Sequence, residues 1–489
     1  MKTLLFIVSF FMLTSLSSQT AKEQQSKQSR VENGLRNKVS IAGEKISKAN
    51  ILERMKYYQI QGISIAVINN SKVDWAQGYG HITNNEASAP VDKHTLFQAA
   101  SISKPITAFG ALMLVQEGKI SLDEDVNLYL KRWKVPENEF TKIEKVTLRR
   151  LLSHTAGTNV DGFTGYSIQT SIPNLKDILE GRKPLVNSDP IRIISKPGTE
   201  MKYSGGGTTI VQLLIEDITG EHFDIWMLNN VLMPLGMKES SFKQPLPAAH
   251  AAYGHHLDGV PLEGKWHIYP ELAAAGLWTT PSDLAQFILY IQTALKSEKS
   301  KPLSSTLVKE MLTRQKIHGK SIDSGLGVFL VNDGKNLIFG HDGQNDGFIG
   351  RLSGYAYHDH GIVIMVNNDS GWPLIEEIMN STADAYSWPN YQFIEKRMIP
   401  IDPANFTQFL GKYVNEKDEI DITTANNNLF ADFKSPYGPM TLYPLSKCTF
   451  FILQENLTIE FLNCESKPES LNFTDSKGVT KLYIRKHID

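Results

Sequence analysis

The sequence is poor in several features that would assign a protein to a class at once. Its 489 residues include two cysteines and no His-Glu-x-x-His motif, which argues against a zinc site. The Gly-x-Ser-x-Gly motif that marks another large group of serine hydrolases is absent as well. A formal net charge of −2 gives no electrostatic reason to expect a nucleic acid or an anionic membrane as partner. With 41% hydrophobic and 21% charged residues, the composition is that of an ordinary globular protein.

Long hydrophobic runs are also missing, apart from one at the N-terminus. Residues 4–16 are almost entirely apolar, follow Lys2 and precede a short stretch of small polar residues. This pattern predicts a cleaved signal peptide in residues 1–20, and therefore a periplasmic or secreted protein. The run of about 13 residues is shorter than the ~20 that cross a bilayer, so we expect no stable membrane span. An uncleaved anchor is the alternative.

Hydrophobic periodicity predicts a mixed domain of helices and strands before Trp388. Strand-like runs occupy residues 62–68, 73–76, 326–331, 337–340 and 361–367. Helical patterns occupy residues 101–116, 148–152, 208–218 and 284–295, the last with Ser282 as its predicted N-cap. Because strands lie at both ends and helices between them, we predict an α+β fold. Its terminal strands should meet in one antiparallel sheet that is flanked by helices and carries a helical insertion.

A change in composition after Trp388 predicts a second domain. Residues 398–403 have the character of a linker. Residues 404–489 show short alternating strands with little helical periodicity, so we predict a small C-terminal β-rich domain there.

Both cysteines, Cys448 and Cys464, lie in this C-terminal domain. They belong to two predicted strands, and a hairpin symmetric about Asn456 places them opposite each other, with Phe451 opposite Phe461. Facing positions and the predicted export favour a disulfide bond. Two buried free thiols are the alternative.

The first motif with reactive side chains is Ser-x-x-Lys, formed by Ser101 and Lys104 at the start of a predicted helix. Residues at i and i+3 share one face of a helix, and the positive end of the helix dipole favours a developing negative charge on the serine. A lysine acts as a base only when it is partly neutral, which burial favours. The surrounding residues are small and apolar, which indicates burial. The alternative is a helix cap followed by a surface lysine.

The second motif places Tyr203 ahead of the glycines at 205–207, which predicts a phenol on a loop with little bulk around it. A tyrosine oxygen beside a lysine could relay the proton of a serine. A core tyrosine is the alternative.

The third motif, at residues 340–344, contains His341, Gly343 and Gln344. Its glycines predict a short exposed strand along which a substrate could lie, with a main-chain N–H available to an oxyanion. For His341 alone, a histidine whose hydrogen bonds are satisfied within a loop is the alternative.

Taken in order, the three motifs resemble those of the serine β-lactamases and penicillin-binding proteins. The resemblance is closest to the class C β-lactamase branch, with its related esterases and D-amino-acid peptidases. Further segments that fall in the same order as in that family are residues 151–157, 234–237, 275–284 and 325–327. The resemblance covers roughly residues 46–390 and implies that they form the catalytic domain. Residues 404–489 resemble the small β-barrel often appended to such hydrolases.

The resemblance implies that Ser101 is the acylated nucleophile. Lys104 and Tyr203 would take its proton and return it to the leaving group. The backbone N–H groups of Ser101 and Gln344 would form the oxyanion hole. His154 could act in a Ser-His-Asp triad instead, but the motif that usually carries such a serine is absent.

The same resemblance implies that His341 and Gly343 line the substrate site. Two residues depart from the family pattern. Gly205 stands where the family usually has an Asn that helps to bind the substrate amide, and His341 stands where many relatives have a lysine that holds a substrate carboxylate. Both departures argue against strong hydrolysis of β-lactams.

The implied reaction is acyl transfer to Ser101 followed by hydrolysis, with no metal or organic cofactor. The substrate would be a small molecule or peptide with an ester, amide or D-amino-acid peptide bond. A β-lactamase or a D-Ala-D-Ala carboxypeptidase is an alternative. A catalytically idle sensor or binding protein on the same fold is an alternative of another class. The sequence predicts no oligomeric state.

Overall fold

A computed structural model describes residues 26–486, except 247–249, 390, 392, 417, 435–437 and 477. The predicted signal peptide in residues 1–20 lies outside the described residues. The chain divides into two compact units, one formed by Met55–Gly371 and the other by the segments before and after it. The predicted domain limits, 46–390 and 404–489, stay predictions. Within the described residues, no helix is long and apolar enough to cross a membrane.

Five of the described strands before the C-terminal region overlap the predicted strand-like runs. The described strands before that region are β1 (Val39–Ile41), β2 (Gly62–Asn69), β3 (Lys72–Gly80), β4 (Phe97–Gln98), β5 (Tyr166–Ser167), β6 (His267–Ile268), β7 (Trp278–Thr279), β8 (Lys316–Ile317), β9 (Lys320–Ser321), β10 (Phe329–Val331), β11 (Ile338–Asn345), β12 (Phe348–Tyr355) and β13 (His360–Val366).

The α-helices lie mainly between the first and last of these strands. They are α1 (Ile51–Tyr57), α2 (Ser103–Gln116), α3 (Glu139–Ile143), α4 (Leu148–Leu152), α5 (Leu175–Glu180), α6 (Gly205–Thr219), α7 (Phe223–Met227), α8 (Met233–Leu235), α9 (Leu272–Ala275), α10 (Pro281–Lys296), α11 (Ser305–Met311) and α12 (Trp372–Tyr386). Short 3-10 helices are Ala100–Ile102, Val126–Leu128, Gly334–Asn336 and Pro403–Gln408, and Leu228–Leu232 is a π-helix.

A six-stranded antiparallel sheet of order β10-β11-β12-β13-β2-β3 organises the larger unit. Strands β13 and β2, which lie far apart in the sequence, are neighbours in it, and Val363 lies opposite Ala66. All residues of β2 are buried, as expected for a strand covered on both faces. The prediction that the terminal strands meet in one antiparallel sheet is therefore confirmed, as is the α+β fold.

Local corrections concern where elements begin and end. Helix α10 starts at Pro281, and its N-cap is Thr280, whose side chain accepts a hydrogen bond from the Asp283 N–H; Ser282, the predicted cap, lies inside the helix. Strand β11 extends to Asn345, beyond the predicted end of the run at 340, so the third motif lies inside a long strand. Among the last five residues of β11, His341, Gly343 and Asn345 are buried, so the expectation of an exposed strand was wrong for the face that these three share.

The C-terminal region forms a closed eight-stranded barrel, which confirms the predicted β-rich domain. Its strands are β15 (Gly411–Val414), β16 (Glu419–Ala425), β17 (Asn428–Asp432), β18 (Met440–Pro444), β19 (Thr449–Phe451), β20 (Thr458–Leu462), β21 (Ser470–Thr474) and β22 (Thr480–Arg485), and β14 (Ile394–Lys396) pairs with β1 outside the barrel. Aromatic rings fill its interior: Phe409 stacks on Phe461 with ring centroids 4.4 Å apart, and Phe450 packs against both.

The predicted disulfide bond between Cys448 and Cys464 is present, with Cα atoms 5.7 Å apart. The predicted register was wrong, because Phe451 lies opposite Thr458 and not opposite Phe461. Cys464 reaches its partner from a turn that follows β20, where Asn463 has a φ of 55°. The bond thus joins a strand end to a turn and does not cross a symmetric hairpin.

Candidate active site

Ser101 lies on a short 3-10 helix between β4 and α2, and its side chain is partly exposed. The preceding residue, Ala100, has a φ of 50°, in the left-handed region that residues with a Cβ rarely adopt. Backbone strain of this kind persists only where the surroundings hold it. Here the Ala99 N–H donates to Leu277 O at 2.8 Å, and the Ser103 hydroxyl donates to Ala100 O at 2.6 Å while it accepts from the Leu277 N–H at 3.0 Å.

Lys104 lies one turn further along and is buried, with 3% of its surface exposed. Its ammonium group contacts Ser101 Oγ at 2.9 Å and donates to Ala274 O at 2.9 Å. The carbonyl comes from α9, which packs against both α2 and α6. The Ser-x-x-Lys motif is therefore more than a helix cap with a surface lysine, because tertiary contacts aim the lysine at the serine.

Tyr203 is the third residue of the group and lies beside Lys104. The Nζ atom of Lys104 lies 5.0 Å from the centroid of the Tyr203 ring. The ring packs against His154, with centroids 4.5 Å apart, and against Phe329 at 6.1 Å. Tyr203 therefore has aromatic and cationic neighbours, and its partial exposure distinguishes it from a core tyrosine.

His154, which the sequence also offered as a triad base, supports the segment around Tyr203. Its Nδ1 accepts the Ser204 N–H at 3.2 Å, and its carbonyl accepts the Lys202 N–H at 2.8 Å. Burial, together with the nearby charge of Lys104, holds the pKa of His154 well below its ordinary value. The imidazole is thus a neutral packing partner of Tyr203.

Tyr203 lies on a loop, as the sequence predicted, and the glycines that follow it belong to a helix. They form the buried first turn of α6, for which Ser204 is the N-cap: its hydroxyl accepts the Gly207 N–H at 3.0 Å. Ser204 has the extended backbone typical of an N-cap, so Tyr203 immediately precedes the helix start.

The third motif lies on β11, where His341, Gly343 and Asn345 point to one face and are buried. A Cβ on Gly343 would lie 2.3 Å from Ala99 O, so only glycine lets this strand approach the segment that carries Ser101. Gln344 follows Gly343, is exposed, and lies opposite Ile349 of β12 in the sheet. The strand therefore runs directly beside the 3-10 helix that carries Ser101.

His341 completes the group, with its ring centroid 5.9 Å from that of Tyr203 and 5.0 Å from that of Phe329. Its Nδ1 donates to Asp342 O at 2.5 Å, which leaves Nε2 as the unprotonated nitrogen. Burial, and next the charge of Lys104, lower the pKa of His341 to about 4. His341 is consequently neutral at pH 7 and provides no cation for a carboxylate.

Sequence reasoning missed the polar pair beneath these residues. The Asn345 side-chain amide donates to Gln98 Oε1 at 2.7 Å and to Ala275 O at 3.2 Å, and Gln98 Nε2 donates to His267 O at 2.7 Å. These bonds tie β11 to β4 and to α9. Strict alternation along β11 could have revealed Asn345, since it shares the inward face of His341 and Gly343.

Comparison with known proteins agrees with this fold. The family model described as Beta-lactamase matches residues 48–379. Penicillin-binding protein 4* of Bacillus subtilis is 23% identical over 427 residues, which cover 80% of this chain and 88% of that protein. An octameric penicillin-binding protein homologue from Pyrococcus abyssi superposes with a TM-score of 0.59 at 19% identity, covering 88% of this chain and 98% of that one.

Protein flp of Staphylococcus aureus (strain MRSA252) is 28% identical over 341 residues, 66% of this chain. The match spans 62% of that relative, so part of its length has no counterpart in the alignment. The family model, in contrast, matches well over half of this chain and includes every residue of the three motifs. On this evidence the chain belongs to the β-lactamase family, whose members share this antiparallel sheet flanked by helices.

Proposed function

We propose that this protein is an exported serine hydrolase that forms an acyl-enzyme on Ser101. The observation that carries the proposal is the 2.9 Å contact between Lys104 Nζ and Ser101 Oγ, with the Tyr203 ring beside the same Nζ atom. A nucleophile and its base within hydrogen-bonding distance, with a third group that holds the base, is the arrangement that acyl transfer needs. Ala274 O is the group that holds Lys104.

In the proposed acylation step, Ser101 Oγ attacks the substrate carbonyl carbon as its proton passes to the Lys104–Tyr203 pair. The carbonyl oxygen becomes an oxyanion, which the N–H groups of Ser101 and Gln344 stabilise. The bond to the leaving group then breaks, and the pair returns the proton to the departing oxygen or nitrogen. The acyl group is left as an ester of Ser101.

In the proposed deacylation step, a water molecule attacks that ester while the Lys104–Tyr203 pair accepts one of its protons. Collapse of the second tetrahedral intermediate releases the carboxylic acid, and the proton returns to Ser101 Oγ. Because His341 is neutral at pH 7 and Gly205 has no side chain, the site offers neither the cation nor the amide group that suit a β-lactam. We therefore propose that simple acyl esters are better substrates than cephalosporins.

A fluorophosphonate probe tests the nucleophile. Wild-type protein should be labelled at Ser101, whereas Ser101→Ala should lose both labelling and turnover while it keeps its fold. Ser282→Ala, the same change at a serine of α10, serves as the control. Side-by-side assays with p-nitrophenyl butyrate, nitrocefin and a D-Ala-D-Ala peptide then rank the substrates. An unlabelled wild-type protein would favour the idle sensor instead.

Export rests on the N-terminal pattern and is consistent with the Cys448–Cys464 disulfide, since such bonds persist in oxidising compartments. Expression of the full chain in a bacterial host, followed by N-terminal sequencing of the periplasmic and secreted fractions, tests it. Mature protein that starts near residue 20 is expected. Full-length protein confined to the cytoplasm would contradict the proposal.

A further inference from the structure

The first turn of α6 is covered by the segment 159–164, which lies against two glycines. A Cβ on Gly206 would lie 2.8 Å from Asn159 O. A Cβ on Gly205 would lie 2.9 Å from Phe163 Cε2 and 3.1 Å from Asp161 O. Any side chain at these two positions would displace the segment, so its course depends on the glycines.

Hydrogen bonds hold the segment in place. The Gly205 N–H donates to Asp161 O at 3.0 Å, and the Gly206 N–H donates to Val160 O at 2.9 Å. These are N–H groups at the start of a helix, which have no partner within the helix itself. Val160 has a φ of 58°, a rare conformation for a β-branched residue. Such a backbone is retained only where the surroundings fix it, as these bonds do.

The same segment reaches both sides of the candidate active site. At one end it contacts Gly205, two residues after Tyr203. At the other end, Thr164 O accepts hydrogen bonds from His267 Nδ1 at 2.9 Å and from the Tyr269 hydroxyl at 3.4 Å. Tyr269 in turn accepts the Asp346 N–H at 3.1 Å, two residues after Gln344. The segment therefore connects the phenol side of the site with its oxyanion side.

The ring of Phe163 occupies the direction in which a side chain at position 205 would point. Related enzymes use an Asn at that position for the substrate amide, whereas here glycine admits an aromatic ring from another part of the chain. Phe163 is partly exposed and packs against the hydrophobic core on its other side. An apolar surface therefore stands where an amide-binding group would be.

From this geometry we infer that Phe163 is a specificity-determining residue of the proposed hydrolase. Its ring is an apolar wall for the substrate's acyl group, and with Gly205 it selects acyl groups whose chain beyond the α-carbon is alkyl or aryl over acyl groups that carry an amide there. An amide at that place would lose its hydrogen bonds to water and gain none from the ring. This inference rests on the proposed acyl-enzyme function.

Two esters with the same leaving group test the inference, p-nitrophenyl butyrate and the p-nitrophenyl ester of N-acetylglycine. Both acyl groups have a CH2 next to the reacting carbonyl; beyond it the butyrate continues as alkyl, whereas the larger N-acetylglycyl group carries an amide. Wild-type protein should prefer the butyrate in kcat/KM by ~tenfold or more, since pocket discrimination on this scale is usual. Phe163→Leu and Phe163→Gln form the matched pair of variants, because Leu and Gln have similar size and differ in polarity.

Phe163→Leu should keep the ratio of the two kcat/KM values within about threefold of the wild-type ratio. Phe163→Gln should shift this ratio toward the N-acetylglycyl ester by ~tenfold. Ile168→Gln introduces the same amide at an exposed position nearby and should leave the preference unchanged. Fluorophosphonate labelling of Ser101 shows that each variant is a folded enzyme. If Phe163→Leu and Phe163→Gln are both labelled and show the same preference between the two esters, this inference is overturned and the proposed function stands. A wild-type protein that is neither labelled nor active on either ester would overturn the proposed function, and this inference with it.

Discussion

Asn345 donates a hydrogen bond to Gln98 across the buried interface between β11 and β4, with 2.7 Å between Nδ2 and Oε1. Gln98 lies three residues before Ser101, and Asn345 directly follows Gln344. The segments that carry Ser101 and Gln344, the two residues proposed to supply the oxyanion hole, are thus joined by one side-chain hydrogen bond. This bond ties the third motif to the strand that leads into Ser101.

We expect Asn345→Leu to destabilise the protein by about 1–3 kcal/mol, because Gln98 and Ala275 O would lose a donor while they stay buried. The double variant Gln98→Leu/Asn345→Leu should cost less than the sum of the two single changes, since it removes both partners. Urea unfolding of the four proteins gives the coupling. Additive losses would show that the two residues act independently.

Lys104→Ala and Tyr203→Phe should each lower kcat for p-nitrophenyl butyrate by ~100-fold or more, the usual contribution of a positioned acid or base. The double variant should be little worse than either single variant, because groups that act as one proton relay are not additive. Steady-state kinetics of the three variants decide this. Tyr357→Phe, at an exposed tyrosine, is the control. Losses that multiply would mean that Lys104 and Tyr203 serve different steps.

His341→Lys should raise the ratio of nitrocefin to p-nitrophenyl butyrate turnover by ~tenfold at pH 7, about the factor that corresponds to 1.4 kcal/mol. The reason is that the pKa of His341, lowered to about 4 by burial, keeps the wild-type site without a cation at that position. His341→Gln is the neutral control and should leave the ratio near that of the wild type. Equal ratios in the Lys and Gln variants would show that charge at position 341 does not affect selection.

Glu271 provides a prediction on stability. It is fully buried at the start of α9, and neither of its carboxylate oxygens has a hydrogen-bonding partner among the described residues. Burial raises its pKa from 4.5 to about 8. Between these values the folded protein keeps a proton that the unfolded chain releases. Folding stability should therefore fall as pH rises, by up to ~1.4 kcal/mol per pH unit.

Glu271→Gln has no such proton, so its folding stability should lack this dependence on pH. The free energy of unfolding of this variant, minus that of the wild type, should be lowest near pH 4.5 and should rise up to about pH 8. Urea unfolding of both proteins at several pH values measures the difference. A difference that stays constant from pH 5 to pH 8 would contradict a buried, neutral carboxyl at Glu271.

Much of the fold follows from local patterns. Alternation and apolar runs predicted β2 and its hairpin with β3, and helical spacing predicted α4 and the greater part of α6, because short-range periodicity reflects which face is buried. The disulfide partners were predictable as well, since the chain has two cysteines. Their register was not, because a turn at Asn463 has no strong sequence signal.

The residues proposed for catalysis were recognisable from the sequence because a short motif fixes residue types and spacing along one helix or strand. Tertiary structure alone decided what surrounds them. It brought Ala274 O to Lys104, His154 to Tyr203 and Phe163 to Gly205 from distant parts of the chain. Such contacts depend on how β11, α9 and α6 pack around the 3-10 helix that carries Ser101. Packing depends on the volumes and surfaces of side chains from distant parts of the chain, which no local pattern encodes.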